Sequence, residues 1–179
     1  MNGLMIFDDQ MEDVESLATK ALLTRAGFHI TSVNLAGKNV VTAHYGTTVE
    51  VDLTALETID DFDFLVIPGG KYVALTVDDD SWIKPLAKQF FDQDKWIAAI
   101  CAGPRFLLQQ DLIQGDYTAF PGSEKDARKG SYQPHLKAVV DRPFITARSA
   151  GSVYDFVFAI IKTLKGEEAL EAFKENIKY

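Results

Sequence analysis

Two kinds of run alternate along the chain. Short, continuous apolar runs bounded by turn residues read as buried strands: "GLMIF" (3–7), "FHITSVN" (28–34), "FDFLVIPGG" (62–70) and "WIAAI" (96–100). Between them lie segments with helical spacing. "MEDVESLATKALLTRAG" (11–27) carries Val14, Leu17, Ala18, Ala21 and Leu22 as an apolar stripe, acids in its first turn and Gly27 as a stop. "SWIKPLAKQFF" (81–91) predicts a helix with Pro85 in its first turn, where a missing N–H costs nothing. "PRFLLQQ" (104–110) starts another, and "SVYDFVFAIIKTLKG" and "EEALEAFKENI" predict two closing helices. "NVVTAHYGTTVEVD" (39–52) reads as two strands meeting at Tyr45-Gly46, a hairpin inserted in the alternation. "AVVDRPFITA" (138–147) reads as a strand pair turned at Asp141-Arg142.

Uninterrupted apolar strands alternating with helices predict a mostly parallel sheet covered on both faces. About five such units favour an open, doubly wound, flavodoxin-like α/β sheet with inserted β-hairpins over a barrel. No repeat, linker or low-complexity run divides residues 1–179, so a single domain is expected.

Composition narrows the function classes. Apolar residues make up 47% and charged residues 25%, the balance of an ordinary globular protein. A net charge of −8 and the lack of a Lys/Arg run argue against nucleic acid and anionic membrane as partners. The apolar run "FVFAII" falls far short of the roughly 20 residues that a membrane-spanning helix needs. The N-terminal "MNGLMIFDDQ" has no basic n-region, so a cytoplasmic location is expected. One cysteine excludes an internal disulfide, and no pair among the three histidines has ligand-like spacing, so no metal is expected.

That cysteine, Cys101, lies in "AAICAGP", between a strand and a helix. A free cysteine is often a small buried hydrophobe. Here, however, a strand-to-helix turn lifts the side chain above the carboxyl edge of the sheet, where open α/β folds bind ligands. The helix N-terminus behind it would favour thiolate over thiol. The N–H groups of Ala102 and of Gly70, in the "PGG" turn after the third strand, would form an oxyanion hole.

The ordered set "MEDVE", "RAGF", "NLAGK", "LVIPGG", "AAICAGP" and "ARSAGSVYDFVFAI" resembles the ThiJ/PfpI superfamily, specifically its parkinsonism-associated deglycase branch, over essentially the whole chain. The resemblance implies a flavodoxin-like fold, a nucleophilic Cys101, and Glu12 as the carboxyl contacting its sulfur. A carboxyl so placed would be desolvated, remain protonated and donate a hydrogen bond to sulfur. The other acids, Asp8, Asp9, Asp13 and Glu15, read as solvated or capping groups. Two departures qualify the resemblance. Ala102 stands where the protease-like branch has a histidine, which argues against a peptidase. The stretch "AFPGS" puts Phe120 where the deglycase branch often has a histidine.

Around this centre, Gly69, Arg148, His44 and Phe120 are candidate contacts for a substrate or anion. Arg148 has a surface salt bridge as its competing role, and His44 would approach the pocket, in some relatives from a partner subunit. The implied activity is cofactor-independent cysteine chemistry on a small reactive carbonyl, of glyoxalase or deglycase type, by a protein that forms a homodimer. The alternative is a redox-responsive or chaperone-like stress protein in which Cys101 senses oxidation.

Overall fold

The computed structural model describes residues 1–79 and 81–179. In chain order its elements are β1 (Asn2–Ile6), α1 (Thr19–Arg25), β2 (His29–Val33), β3 (Val40–Thr42), β4 (Thr48–Glu50), β5 (Phe64–Ile67), α2 (Lys71–Thr76), α3 (Ile83–Asp92) and β6 (Trp96–Ile100). Then follow α4 (Arg105–Leu108), β7 (Asp116–Tyr117), β8 (Ser131–Tyr132), β9 (Ala138–Asp141), β10 (Phe144–Ala147), α5 (Val153–Lys165) and α6 (Glu167–Ile177).

Six strands form the central sheet in the order β2-β1-β5-β6-β10-β9. The first five run parallel, and β9 pairs antiparallel with β10 as the edge strand. The continuous apolar runs are the inner strands: Leu4 to Ile6, Phe64 to Ile67 and Ile97 to Ile100 are at most 1% exposed. A strand can be apolar on both faces only if both faces are covered. The chain moves one way from β1 through α1 to β2, and the other way from β5 through α3 to β6. With right-handed crossovers, those opposite directions put helices on opposite faces. This is the doubly wound, flavodoxin-like α/β fold expected from the pattern. The hairpin in "NVVTAHYGTTVEVD" is β3–β4, outside the main sheet, with Val41 opposite Val49.

Three features depart from the pattern. A helix, α2, follows the "PGG" turn directly. Strands β7 and β8 make a separate two-residue pair. The helical segment after β1 opens with a π-helical turn over Val14–Ala18 before α1 begins. The wider turn changes which side faces inward. Val14 is 49% exposed, while Glu15, Ser16, Thr19 and Leu23 are buried. Three of these four buried residues are polar, which hid the phase of the row from a reading based on apolar spacing.

Candidate active site

Strand order reverses between β1 and β5, so their carboxyl ends diverge there and leave a crevice. Segments leaving β1, β5, β6 and β10 meet at this edge. Cys101 leaves β6 with φ +62°, a left-handed conformation that non-glycine residues rarely adopt. Its backbone is pinned on two sides: its N–H donates to Ala147 O at 2.9 Å, and its carbonyl accepts the Phe120 N–H at 2.8 Å. These two bonds hold the thiol in a strained turn, as in a nucleophile elbow.

The carboxyl facing that thiol belongs to Glu15, not Glu12. Glu15 is 1% exposed, and its Oε2 accepts the Gly69 N–H at 2.9 Å. The same carboxyl faces the Cys101 thiol and the Ala150 N–H, while Oε1 is buried without a hydrogen bond of full geometry. Glu12 has a different role. Its Oε2 accepts the Glu15 backbone N–H at 2.6 Å, and its own N–H donates to Gly69 O at 3.0 Å. It caps the π turn, as a first-turn acid does when it takes up an orphan N–H. The correction has a physical cause: Glu12 precedes the helical segment, whereas Glu15 lies on its inner face one turn later.

Burial dominates the electrostatics of the pair. Desolvation pushes the Glu15 carboxyl up to about 7, opposed by its hydrogen bond to Cys101 and reinforced by the charge of Glu12. The Cys101 thiol is also pushed up, first by desolvation and then by the negative charge of Glu15. This reverses the expectation of a thiolate favoured by a helix terminus. Helix α4 has only four residues, and the Ala102 N–H, which draws the thiol the other way, does not offset the burial.

Gly69 is required for this approach. A Cβ there would lie 2.5 Å from Glu15 Oε2, 2.7 Å from Cys101 Cβ and 3.0 Å from Ala102 N. Because its N–H already serves Glu15, it is a positioning residue rather than a contact for substrate. Gly70 follows with φ +127°, and a Cβ there would strike the Glu12 N and Gln10 O at 2.5 and 2.6 Å. Among the described residues its N–H has no acceptor, whereas the Ala102 N–H points at the Cys101 sulfur.

The remaining candidates divide. Phe120 is bonded to Cys101 through its backbone, and its ring is 49% exposed. The guanidinium of Arg148 makes no salt bridge among the described residues; its charge reaches Tyr132, whose hydroxyl donates to Ala119 O next to Phe120. His44 bonds Gln10 Oε1 at 3.2 Å and packs edge-on against Tyr45. Neither contact is with the thiol. Among the described residues no group of three His, Cys, Asp or Glu side chains converges as metal ligands. None of their helices is long and apolar enough to cross a membrane.

The chain matches the DJ-1/PfpI family over residues 3–163. It belongs to that family. A Pyrococcus abyssi protein named deglycase is 31% identical over 169 residues, 92% of this chain and 100% of that protein. The Parkinson disease protein 7 homolog of Danio rerio is 28% identical, over 96% of this chain and 94% of its own. The crystal structure of Drosophila melanogaster DJ-1beta superposes with a TM-score of 0.88 at 27% identity, covering 98% of this chain and 96% of that one. Within this DJ-1/PfpI protein the Cys101–Glu15 pair stands out, because nothing about packing calls for a buried carboxyl beside a strained cysteine.

Proposed function

We propose that this protein is a cysteine-dependent, cofactor-independent enzyme that consumes small reactive carbonyls such as methylglyoxal, in the manner of a glyoxalase or deglycase. The observation that carries this reading is the Glu15 carboxyl, pushed to about 7 and facing a thiol held at positive φ. A base poised near neutral pH both takes and returns a proton readily. As sulfur attacks the aldehyde carbon, the S–C bond forms and the thiol proton passes to the Glu15 carboxylate. Glu15 then delivers that proton to the former carbonyl oxygen, giving a hemithioacetal. The Gly70 and Ala102 N–H groups face the oxygen while it carries charge. Moving the hydrogen of the hemithioacetal carbon to the neighbouring carbonyl carbon, and the hydroxyl proton to that carbonyl's oxygen, gives a thioester, and water then releases a hydroxy acid and the thiol.

This reading transfers the carboxyl role from Glu12 to Glu15. It keeps Arg148 as a contact for an anionic group, because its guanidinium has no carboxylate partner among the described residues. Names among the relatives point the same way, since one of them is called a deglycase. Phe120 supports a second reading, in which Cys101 senses oxidation with little turnover, because an apolar ring supplies no acid–base group. Assembly as a homodimer accompanies the first reading. Val14 and Tyr45, both exposed, lie on neighbouring segments joined by the bond from Tyr45 N to Asp13 Oδ2 at 2.9 Å. Pairing of copies through this patch would remove apolar surface from water.

The test is methylglyoxal consumption by the purified protein beside Cys101→Ser. Consumption lost in the variant supports the enzyme. No consumption, with selective peroxide oxidation of Cys101, supports the sensor.

A further inference from the structure

On the β1 side of the switch point lies a cavity of about 360 Å³ that includes neither Cys101 nor Glu15. Its polar wall comes from the loop after β1, Asp8 to Gln10, with Lys38 beside it. Its apolar wall comes from Tyr72, Leu75 and Trp82. The Asp8 side chain decides what fits. A run of acids after a strand reads as solvated, but Asp8 is only 8% exposed. Its Oδ1 accepts the Asp9 N–H at 2.8 Å and Asn34 Nδ2 at 3.2 Å. Its Oδ2 has no donor among the described residues, although the residue lines the cavity. The side chain is largely desolvated, which is costly and pushes its carboxyl up, while Oδ2 itself stays accessible from the cavity. A cationic donor delivered into the cavity would offset that cost.

We infer that this cavity binds a primary ammonium group carried on a short apolar stem. Charge favours a cation. Three carboxylates, Asp8, Asp9 and Asp79, line the space against one ammonium, Lys38. Lys38 is held by Asp9 at 2.7 Å, and the other Asp9 oxygen takes the Thr42 N–H, so that pair is complete. Two hydroxyls on the wall are also committed, Tyr72 donating to Pro68 O at 2.7 Å and Thr76 to Tyr72 O at 2.9 Å, while Ser81 Oγ accepts the Ile83 N–H at 3.3 Å. Asp8 Oδ2 and Asp79 are left as acceptors. At Asp8, the buried acceptor, the single free oxygen suits the point charge of an ammonium better than a guanidinium, whose fork needs two parallel acceptors. The indole of Trp82 and the exposed side chain of Leu75 offer an apolar surface for the stem and a π face for the cation. No trio of metal ligands converges among the described residues, so an organic cation fits where a metal ion does not.

The ammonium has two possible sources, a free alkylamine or a lysine side chain of a polypeptide. The protein contains two tryptophans, so in a Trp96→Phe background the fluorescence reports Trp82 alone. N-acetyl-lysinamide, n-butylammonium and the neutral N-acetyl-norleucinamide are titrated separately. The expected result is a saturable change with N-acetyl-lysinamide and none with N-acetyl-norleucinamide. A matching affinity for n-butylammonium identifies free amines as sufficient; a response to the lysine derivative alone identifies a polypeptide side chain. Binding weakens about tenfold or more in Asp8→Asn, which keeps an acceptor for Asp9 and Asn34. Asp79→Lys, at an exposed position, serves as the second variant and weakens binding if Asp8→Asn does not fold. Cys101→Ser leaves it unchanged, which separates this site from the carbonyl chemistry. Absence of saturation with both amines, an equal response to the norleucine derivative, or full affinity in both Asp variants overturns the inference.

Discussion

Glu12 Oε2 accepts the backbone N–H of Glu15 at 2.6 Å, so one acid of the loop after β1 caps the turn that carries the other inward. The two carboxyls are three residues apart and have opposite roles. Glu12→Ala removes a cap and should cost about 1 kcal/mol of stability while leaving carbonyl consumption mostly intact. Glu15→Gln retains an acceptor for the Gly69 N–H and should fold well, yet lose consumption. Denaturant unfolding and a methylglyoxal assay on both variants check the separation, which fails if Glu12→Ala is the inactive one.

The Glu15 carboxyl also makes stability depend on pH. Its folded value, about 7, lies above the ordinary 4.5, so the native state holds the proton more tightly than the unfolded chain. The contribution is therefore complete below pH 4.5 and is lost as pH rises through 7. Its upper bound is about 3 kcal/mol. Wild type should lose stability relative to Glu15→Gln between pH 4.5 and 8, as read from paired unfolding curves. A flat difference between the two would mean that the carboxyl is solvated.

Gly69→Ala tests the close approach. The added methyl meets Glu15 Oε2, Cys101 Cβ and Ala102 N at or below 3.0 Å, and two of these belong to pinned backbone or a buried side chain. Overpacking of this kind costs about 1–3 kcal/mol, and here it also moves the carboxyl. Lower stability should accompany a disproportionate loss of consumption.

Phe120 supplies no proton-transfer group, although its backbone is bonded to Cys101. Phe120→His should raise carbonyl consumption and leave the rate of Cys101 alkylation by iodoacetamide nearly unchanged. If both rates stay where they were, the side chain at 120 does not reach the reacting atoms.

Much of this was legible from residue order. Buried parallel strands give long apolar runs, so β1, β5 and β6 and the fold class follow from "GLMIF", "FDFLVIPGG" and "WIAAI". The position of Cys101 after such a strand marked the edge of the sheet where it sits. Glu15 was harder to see. The inner row of its helical segment is Glu15, Ser16, Thr19 and Leu23, and three of the four are polar, so apolar spacing selected the exposed Val14 instead. A charge at the start of that row, beside Ser16 and Thr19, is the signal that could have found it. Asp8 was hidden for a related reason, because burial of an acid next to another acid leaves no trace in hydropathy. The helix dipole misled because the helix after Cys101 stops after four residues, a length that "PRFLLQQ" does not reveal.

The central claim is that Glu15 acts on Cys101 as a buried, charge-carrying base, and the pH profile of Cys101 alkylation in folded wild type and Glu15→Gln tests it most directly. Burial raises the thiol most and negative charge on Glu15 raises it further, so removing that charge should move the alkylation profile to lower pH. Faster alkylation near neutral pH, in a variant that consumes less carbonyl, is the predicted pairing. Superimposable profiles, or a Cys101 that reacts only once the protein unfolds, would contradict it.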